Sequence, residues 1–121
     1  DSTSSSKSKK VAYKKSKAKK IKLDGQTSNI YTTGEKTSRW YKISITSTKK
    51  KRILNLGKNT VSGGYKFTIY KKGKKKAIKT IEVTGNANAK IAKMPKKKGT
   101  YYIRISKLTK KTNGTYEIGY Y

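Results

Sequence analysis

From residue 40 to the C-terminus, the chain is a series of short runs in which apolar or aromatic residues alternate with polar ones. The clearest runs are Trp40 to Ile45, Tyr65 to Tyr70, Thr100 to Ser106 and Thr115 to Tyr121. A period of two that is rich in β-branched and aromatic residues indicates a β-strand with one buried face. Turn residues such as Gly and Asn separate the runs, and helical periodicity is absent. Seven or eight short strands at this spacing predict a β-sandwich or a β-barrel.

The alternation also predicts which side chains form the core, because successive side chains of a strand point to opposite faces. The residues that share a predicted core face within their runs are Tyr41, Ile43, Ile45, Tyr65, Phe67, Ile69, Ile81, Val83, Ala87, Ala89, Ile91, Tyr101, Ile103, Ile105, Tyr116, Ile118 and Tyr120.

Four tyrosines fall on the opposite parity and are candidates for exposure: Tyr31, Tyr70, Tyr102 and Tyr121. An exposed tyrosine beside lysine suits stacking on sugars or bases. Tyr70, Tyr102 and Tyr121 are therefore candidate stacking residues. The alternative is that these rings cover the second face of a sandwich.

The charge is the second constraint. The chain has thirty lysines and three arginines but only five acidic residues, so its formal net charge is +28. An AT-rich genome would explain abundant lysine but not the shortage of Glu, so the imbalance is a property of this protein. Such a field attracts polyanions over long range. Lysine is a hydrated point charge on a flexible stem, whereas arginine is the usual reader of bases, so the composition favours diffuse adhesion over base readout.

Catalytic and metal chemistry lack the residues that they need. The chain has no Cys and no His, and its five carboxylates form no pair at motif spacing. Ser and Lys are so common that a Ser–Lys dyad cannot be singled out. We expect no catalytic residue, no metal and no cofactor. No apolar run approaches the roughly 20 residues of a membrane-spanning helix.

The first 19 residues are rich in Ser and Lys and offer almost nothing to bury. They predict a flexible basic tail, followed by a β-sandwich domain over residues 20–121. The chain begins at Asp1 rather than Met, which is typical of a cleaved signal peptide or of a shortened chain.

Strand direction predicts where the charge collects, because alternate loops of an antiparallel sandwich lie at the same end. The loops after Ile45, Tyr70 and Met94 share one predicted end. Their bases, the candidate anion-binding residues, are Lys49, Lys50, Lys51, Arg52, Lys71, Lys72, Lys74, Lys75, Lys76, Lys96, Lys97 and Lys98. The alternative is that lysines lie there only because hairpin tips are exposed.

The opposite end receives the other loops, with fewer bases, among them Arg39. The basic tail emerges at the lysine-rich end if residues 21–31 form one strand, and two strands there would reverse it.

Several segments together resemble the bacterial pre-peptidase C-terminal domain family. They are "RWYKISI", "YKFTIYKKGKK", "KKGTYYIRI" and "NGTYEIGYY", and the earlier "IKLDGQTSNIY" is similar to the first strand of that family. The resemblance covers residues 21–121. It implies a secreted, antiparallel, jelly-roll-like β-sandwich of seven to nine strands without catalytic activity, beside peptidases or other surface modules.

Related collagen-binding domains hold calcium through an acidic segment near the first strand. Here only Asp24 and Glu35 are available, and calcium needs six to eight oxygen ligands. We therefore expect no calcium site.

These observations favour a secreted or cell-surface bacterial module, monomeric and non-catalytic, that adheres to anionic polymers of the cell wall or to acidic glycans. One alternative is an extracellular nucleic-acid-binding protein, which the low arginine count and the lack of a reading helix disfavour. The other is a structural accessory domain of a surface protein without a discrete ligand.

Overall fold

Two β-sheets carry almost all of the secondary structure. The computed structural model describes residues 12–31, 38–84 and 89–121. Within these residues the strands are β1 (Lys19–Lys20), β2 (Gly25–Tyr31), β3 (Arg39–Ile45), β4 (Ile53–Ser62), β5 (Tyr65–Lys71), β6 (Ala77–Val83), β7 (Ala89–Lys93), β8 (Gly99–Lys107) and β9 (Asn113–Tyr120). A single 3₁₀ turn, Lys15–Lys17, is the only helical element of the described part.

The strands are ordered β1-β3-β8-β5-β6 in one sheet and β2-β9-β4-β7 in the other. All pairings are antiparallel except that of β1 with β3. From β3 to β9 the chain passes between the sheets at every connection except the β5–β6 hairpin. The predicted all-β, antiparallel, jelly-roll-like sandwich of seven to nine strands is confirmed.

The core lies between the sheets, and the predicted alternation places it correctly in four strands. In β3, Tyr41, Ile43 and Ile45 are buried while the residues between them are half-buried. The predicted core residues of β5, β8 and β9 are buried as well, although Thr68 and Gly119, which lie between them, are also buried. Covering a large aliphatic or aromatic side chain contributes about 1.5–3 kcal/mol, so these four strands dominate the stability of the fold.

The prediction of which face of β7 lies in the core is wrong. Ala89 and Ile91 are exposed, and it is Ala92 and Met94 that are buried. The reason is register: Ala92 lies opposite the buried Leu54 of β4, and residues directly opposite each other share a face. Ala87 lies outside the described residues.

The segment before β1 also differs from its prediction. Ala12 and Ala18 are buried, and the Ala12 carbonyl accepts a hydrogen bond of 2.9 Å from the Trp40 N–H. Lys19 of β1 lies opposite Tyr41. Residues 12–19 thus lie along the edge of β3 and satisfy some of its free backbone groups, although this stretch was predicted to have almost nothing to bury. The predicted tail over residues 1–11 lies outside the described residues.

Residues 21–31 contain one strand, β2, but β1 lies directly before them, in the region predicted to be the tail. Because β1 runs parallel to β3, the chain before it leads back toward the start of β3. Residues 12–18 therefore approach β1 from the opposite end of the sandwich.

A buried cation is the unexpected member of the core. Arg39, predicted to be a loop residue, is fully buried at the start of β3. Its Nη1 donates a hydrogen bond of 3.2 Å to the Tyr116 hydroxyl, which lies 2.6 Å from the Tyr41 hydroxyl. The guanidinium carbon also lies 5.6 Å from the centre of the Tyr116 ring. Burial, together with the neighbouring Tyr41, raises the pKa of Tyr116 well above its ordinary value, and the opposing effect of Arg39 is smaller.

Candidate anion-binding end

Strand register shows which loops lie at the same end of the sandwich. The last residue of β3, Ile45, pairs with the first residue of β8, Gly99, and Lys71 at the end of β5 pairs with Tyr101. The β3–β4, β5–β6 and β7–β8 loops are therefore neighbours. Two backbone bonds tie them together: Lys72 N–H to Thr100 O at 2.9 Å, and Met94 N–H to Arg52 O at 2.8 Å.

We call the twelve predicted bases of these loops the basic pole: Lys49, Lys50, Lys51, Arg52, Lys71, Lys72, Lys74, Lys75, Lys76, Lys96, Lys97 and Lys98. Arg52 and Lys71 are half-buried and the other ten are exposed. The three loops contain no acidic residue. The structure thus brings all twelve bases to one end, although they come from three separate parts of the sequence.

Of the acidic residues that the structure describes, Asp24 shares this end of the molecule. Asp24 lies in the turn before β2, where its N–H donates a hydrogen bond of 2.7 Å to the Tyr120 carbonyl. That turn is at the β1 and β2 edge of the sandwich, whereas β6 and β7 form the other edge. The carboxylate is therefore separated from the β6 and β7 edge by the width of the sheets.

A groove of about 740 Å³ opens in the basic pole at the β6 and β7 edge. Its lining is made of lysines and of apolar side chains: Lys51, Lys71, Lys74, Lys76, Lys79, Lys93, Lys97, Ala77, Ile78, Met94, Pro95 and Tyr101. Two hydrogen bonds support it. Lys79 Nζ donates to the Lys93 carbonyl at 3.0 Å and so links the edges of the two sheets, and the Tyr101 hydroxyl donates to the Lys97 carbonyl at 2.9 Å.

Burial raises the pKa of Tyr101 above its ordinary value. A tyrosine hydroxyl is protonated at neutral pH, and the raised pKa extends into more alkaline solution the range over which this one donates to the β7–β8 loop. This bond fixes the position of Lys97 relative to the core strand β8. The backbone of the β7–β8 loop at Lys97 is thus anchored to the core.

Five of the predicted bases line the groove: Lys51, Lys71, Lys74, Lys76 and Lys97. The other seven lie in the same loops outside its lining. Sequence reasoning missed Lys79 and Lys93, because they are strand residues rather than loop residues. No local pattern marks them, since only the meeting of β6 and β7 from different sheets brings them together.

The predicted stacking residues do not form one platform. Tyr70 and Tyr102 are paired across β5 and β8, half-buried, on the outer face of their sheet. The Trp40 ring lies 5.6 Å from that of Tyr70, and Lys15 Nζ lies 5.1 Å from both tyrosine ring centres and 6.0 Å from that of Trp40. The Lys15 side chain thus lies over these rings. Tyr121 is 38% exposed and follows β9 in the other sheet.

Over residues 12–31, 38–84 and 89–121, no three His, Cys, Asp or Glu side chains come together as a metal site would require. Within the same ranges there is no helix with the length and apolar character needed to cross a membrane.

Comparison with known proteins adds information on the fold. No family model and no curated protein matches the chain. Among solved structures, the chain is similar to the pre-peptidase C-terminal domain of a collagenase from Bacillus anthracis, with 19% identity, a TM-score of 0.69, and coverage of 87% of this chain and 95% of that one.

It is also similar to PliG of Aeromonas hydrophila, a periplasmic inhibitor of g-type lysozyme, with 11% identity, a TM-score of 0.54, and coverage of 87% and 98%. At these sequence identities the comparisons show similarity of fold alone. They confirm, at that level, the resemblance to pre-peptidase C-terminal domains that the strand motifs indicated.

Proposed function

We propose that this chain is a non-catalytic, secreted or cell-surface bacterial module that binds anionic polymers through the basic pole. The observation that carries the proposal is the convergence of twelve bases from three loops at one end, with no acidic residue in those loops. The fold supports the location, because one similar structure is a domain of a collagenase and the other is a periplasmic protein.

A polymer suits this surface better than a small anion does. Each exposed lysine contributes little to a single ion pair, about 0–1 kcal/mol. A chain with repeated anionic groups makes many such contacts at once, and after the first contact the others form at high effective concentration. Release of condensed counterions adds to the affinity and makes it dependent on salt.

The inventory of side chains supports a binding role over catalysis. The chain has neither His nor Cys. Of the acidic residues in the described ranges, Asp24 is in a turn, Glu82 is on β6 and Glu117 is on β9, in different sheets. Such separated carboxylates do not form the pair that acid–base hydrolysis uses.

Neutralising part of the basic pole tests the proposal. The pole variant changes six lysines to Gln: Lys74, Lys75, Lys76, Lys96, Lys97 and Lys98. The control variant removes the same charge from six exposed lysines elsewhere: Lys14, Lys17, Lys20, Lys66, Lys90 and Lys110. The affinity of each for purified teichoic acid is measured at several salt concentrations.

Loss of six contacts of about 0.3–0.5 kcal/mol each predicts a weakening of about 20- to 150-fold for the pole variant. Its dependence on salt should also flatten, and the control variant should lose much less. Equal losses in both variants would show that the net charge, rather than the basic pole, does the binding. Unaltered affinity in both would refute binding through the basic pole, and no measurable binding by the unsubstituted protein would point to a structural accessory role.

Competition at fixed salt separates the two classes of polymer. Teichoic acid should displace DNA from the protein at equal phosphate concentration. The opposite order, with DNA displacing teichoic acid, would favour the nucleic-acid-binding alternative.

A further inference from the structure

The groove of the basic pole combines two chemical characters. Its rim is cationic, with seven lysines in the lining and no acidic residue among them. Its walls are apolar: Ile78 is 44% exposed, Pro95 is half-buried, and Met94 lies buried at the base. The aliphatic stems of the lysines extend the apolar surface. A polyanion alone uses the rim and leaves this apolar surface uncovered.

The kind of apolar surface indicates what covers it. Sites for sugars and bases usually offer an exposed aromatic face. The aromatic residue of the lining, Tyr101, is fully buried, and its hydroxyl is engaged with the Lys97 carbonyl. The accessible apolar surface is therefore aliphatic, which suits a flexible hydrocarbon chain.

We propose that the groove binds the acyl chain of a monomeric anionic amphiphile, with its carboxylate, phosphate or sulfate head group held by the lysines of the rim. This inference rests on the proposed function for the head group, which uses the lysines of the basic pole, and adds a site for the hydrocarbon chain. The volume of about 740 Å³ lies in the usual range of small-molecule sites, about 300–1,000 Å³.

The shape of the groove favours one chain entering the protein over the protein inserting into a membrane. A membrane-inserting surface carries apolar side chains that project from it. Here Met94 is recessed, and Ile78 is the large apolar side chain of the lining that stands exposed. The anionic amphiphile is therefore taken up as a single molecule.

Calorimetric titration with alkyl phosphates from hexyl to dodecyl, each below its micelle concentration, tests this site. Affinity should rise up to about fourfold for each added methylene and then level off once the chain fills the groove. Decyltrimethylammonium and decyl maltoside should bind far more weakly than decyl phosphate. Equal binding of the three would overturn the role of the anionic head group.

Two isoleucines of the edge strands give a matched pair of variants. Ile78 lines the groove, whereas Ile91, which is 60% exposed on β7, does not. Ile78→Ser should weaken the binding of decyl phosphate about three- to ninefold, because the alkyl chain no longer covers the exposed part of the isoleucine side chain. Ile91→Ser should leave that affinity unchanged. Equal effects of the two substitutions would contradict the inference.

Binding of inorganic polyphosphate separates this inference from the proposed function. Ile78→Ser should leave polyphosphate affinity unchanged. A flat dependence on chain length, with polyphosphate still bound through the basic pole, would refute the acyl site alone. Binding to anionic vesicles without binding to monomeric alkyl phosphate would refute it in favour of a membrane surface.

Discussion

Removal of the Tyr116 hydroxyl should destabilise the fold far more than removal of other buried tyrosine hydroxyls. That hydroxyl accepts a hydrogen bond from Arg39 and shares another with Tyr41, at 3.2 Å and 2.6 Å, in a fully buried setting. A bond to a charged group contributes about 1.5–3 kcal/mol and a neutral one about 0.5–1.5 kcal/mol. Tyr116→Phe should therefore lower the free energy of unfolding by about 2–4 kcal/mol.

Tyr120→Phe is the matched control, since the Tyr120 hydroxyl makes one neutral bond of 2.9 Å to the partly buried Ser44 carbonyl. Tyr120→Phe should lower the free energy of unfolding by only about 0.5–1.5 kcal/mol. Urea unfolding measures the loss of free energy of unfolding in both variants. In thermal unfolding of a domain of this size, Tyr116→Phe should lower Tm by about 10 °C or more. If the two substitutions cost the same, the buried Arg39 does not depend on the Tyr116 hydroxyl and the reasoning fails.

Two further predictions concern the stability of the protein at alkaline pH and the substitution of two turn glycines. Burial raises the pKa of Tyr116, so above about pH 10 the unfolded chain releases a proton that the folded protein keeps, and stability falls by about 1.4 kcal/mol per pH unit from this group. Urea unfolding between about pH 9 and pH 11 should show a shallower decline in Tyr116→Phe, and an identical decline would contradict this assignment. Gly63 and Gly73 have φ of 76° and 83°, but a Cβ at Gly63 would overlap Thr112 Oγ1, whereas one at Gly73 meets nothing within 4 Å. Thermal unfolding should therefore show Gly73→Ala costing about 1–2 kcal/mol and Gly63→Ala clearly more; equal costs would count against the packing at Thr112.

Alternation along the chain predicted the fold because burial of one strand face leaves a period of two in the sequence. Tyr41, Ile43 and Ile45 are a clear case, since each apolar residue is separated from the next by a polar one. In β7 the large apolar residue, Ile91, lies on the exposed face, and the buried face is the one that pairing with Leu54 gives to Ala92. Convergence of the lysine-rich loops followed from strand direction alone, which is a property of the topology rather than of side-chain detail.

Features that depend on contacts between distant residues were not predictable in this way. The groove exists because β6 and β7 meet at one edge, with Lys79 bonded to the backbone of Lys93. The docking of the segment at Ala12 depends on the free edge of β3. Burial of Arg39 depends on a hydroxyl 77 residues away in the sequence, that of Tyr116.

The central claim is that anionic polymers bind at one end of the sandwich, and nuclear magnetic resonance can locate that end directly. Titration of the labelled protein with an oligomeric glycerol phosphate should shift backbone amides in residues 46–52, 71–76 and 94–98, and should shift those around Gly63 and Lys110 at the opposite end much less. The shifts at the pole should diminish as salt is added, because exposed charges are screened. Shifts of equal size around Lys110 and Lys66 would contradict the account, since they would show that the polymer follows total charge and not the basic pole.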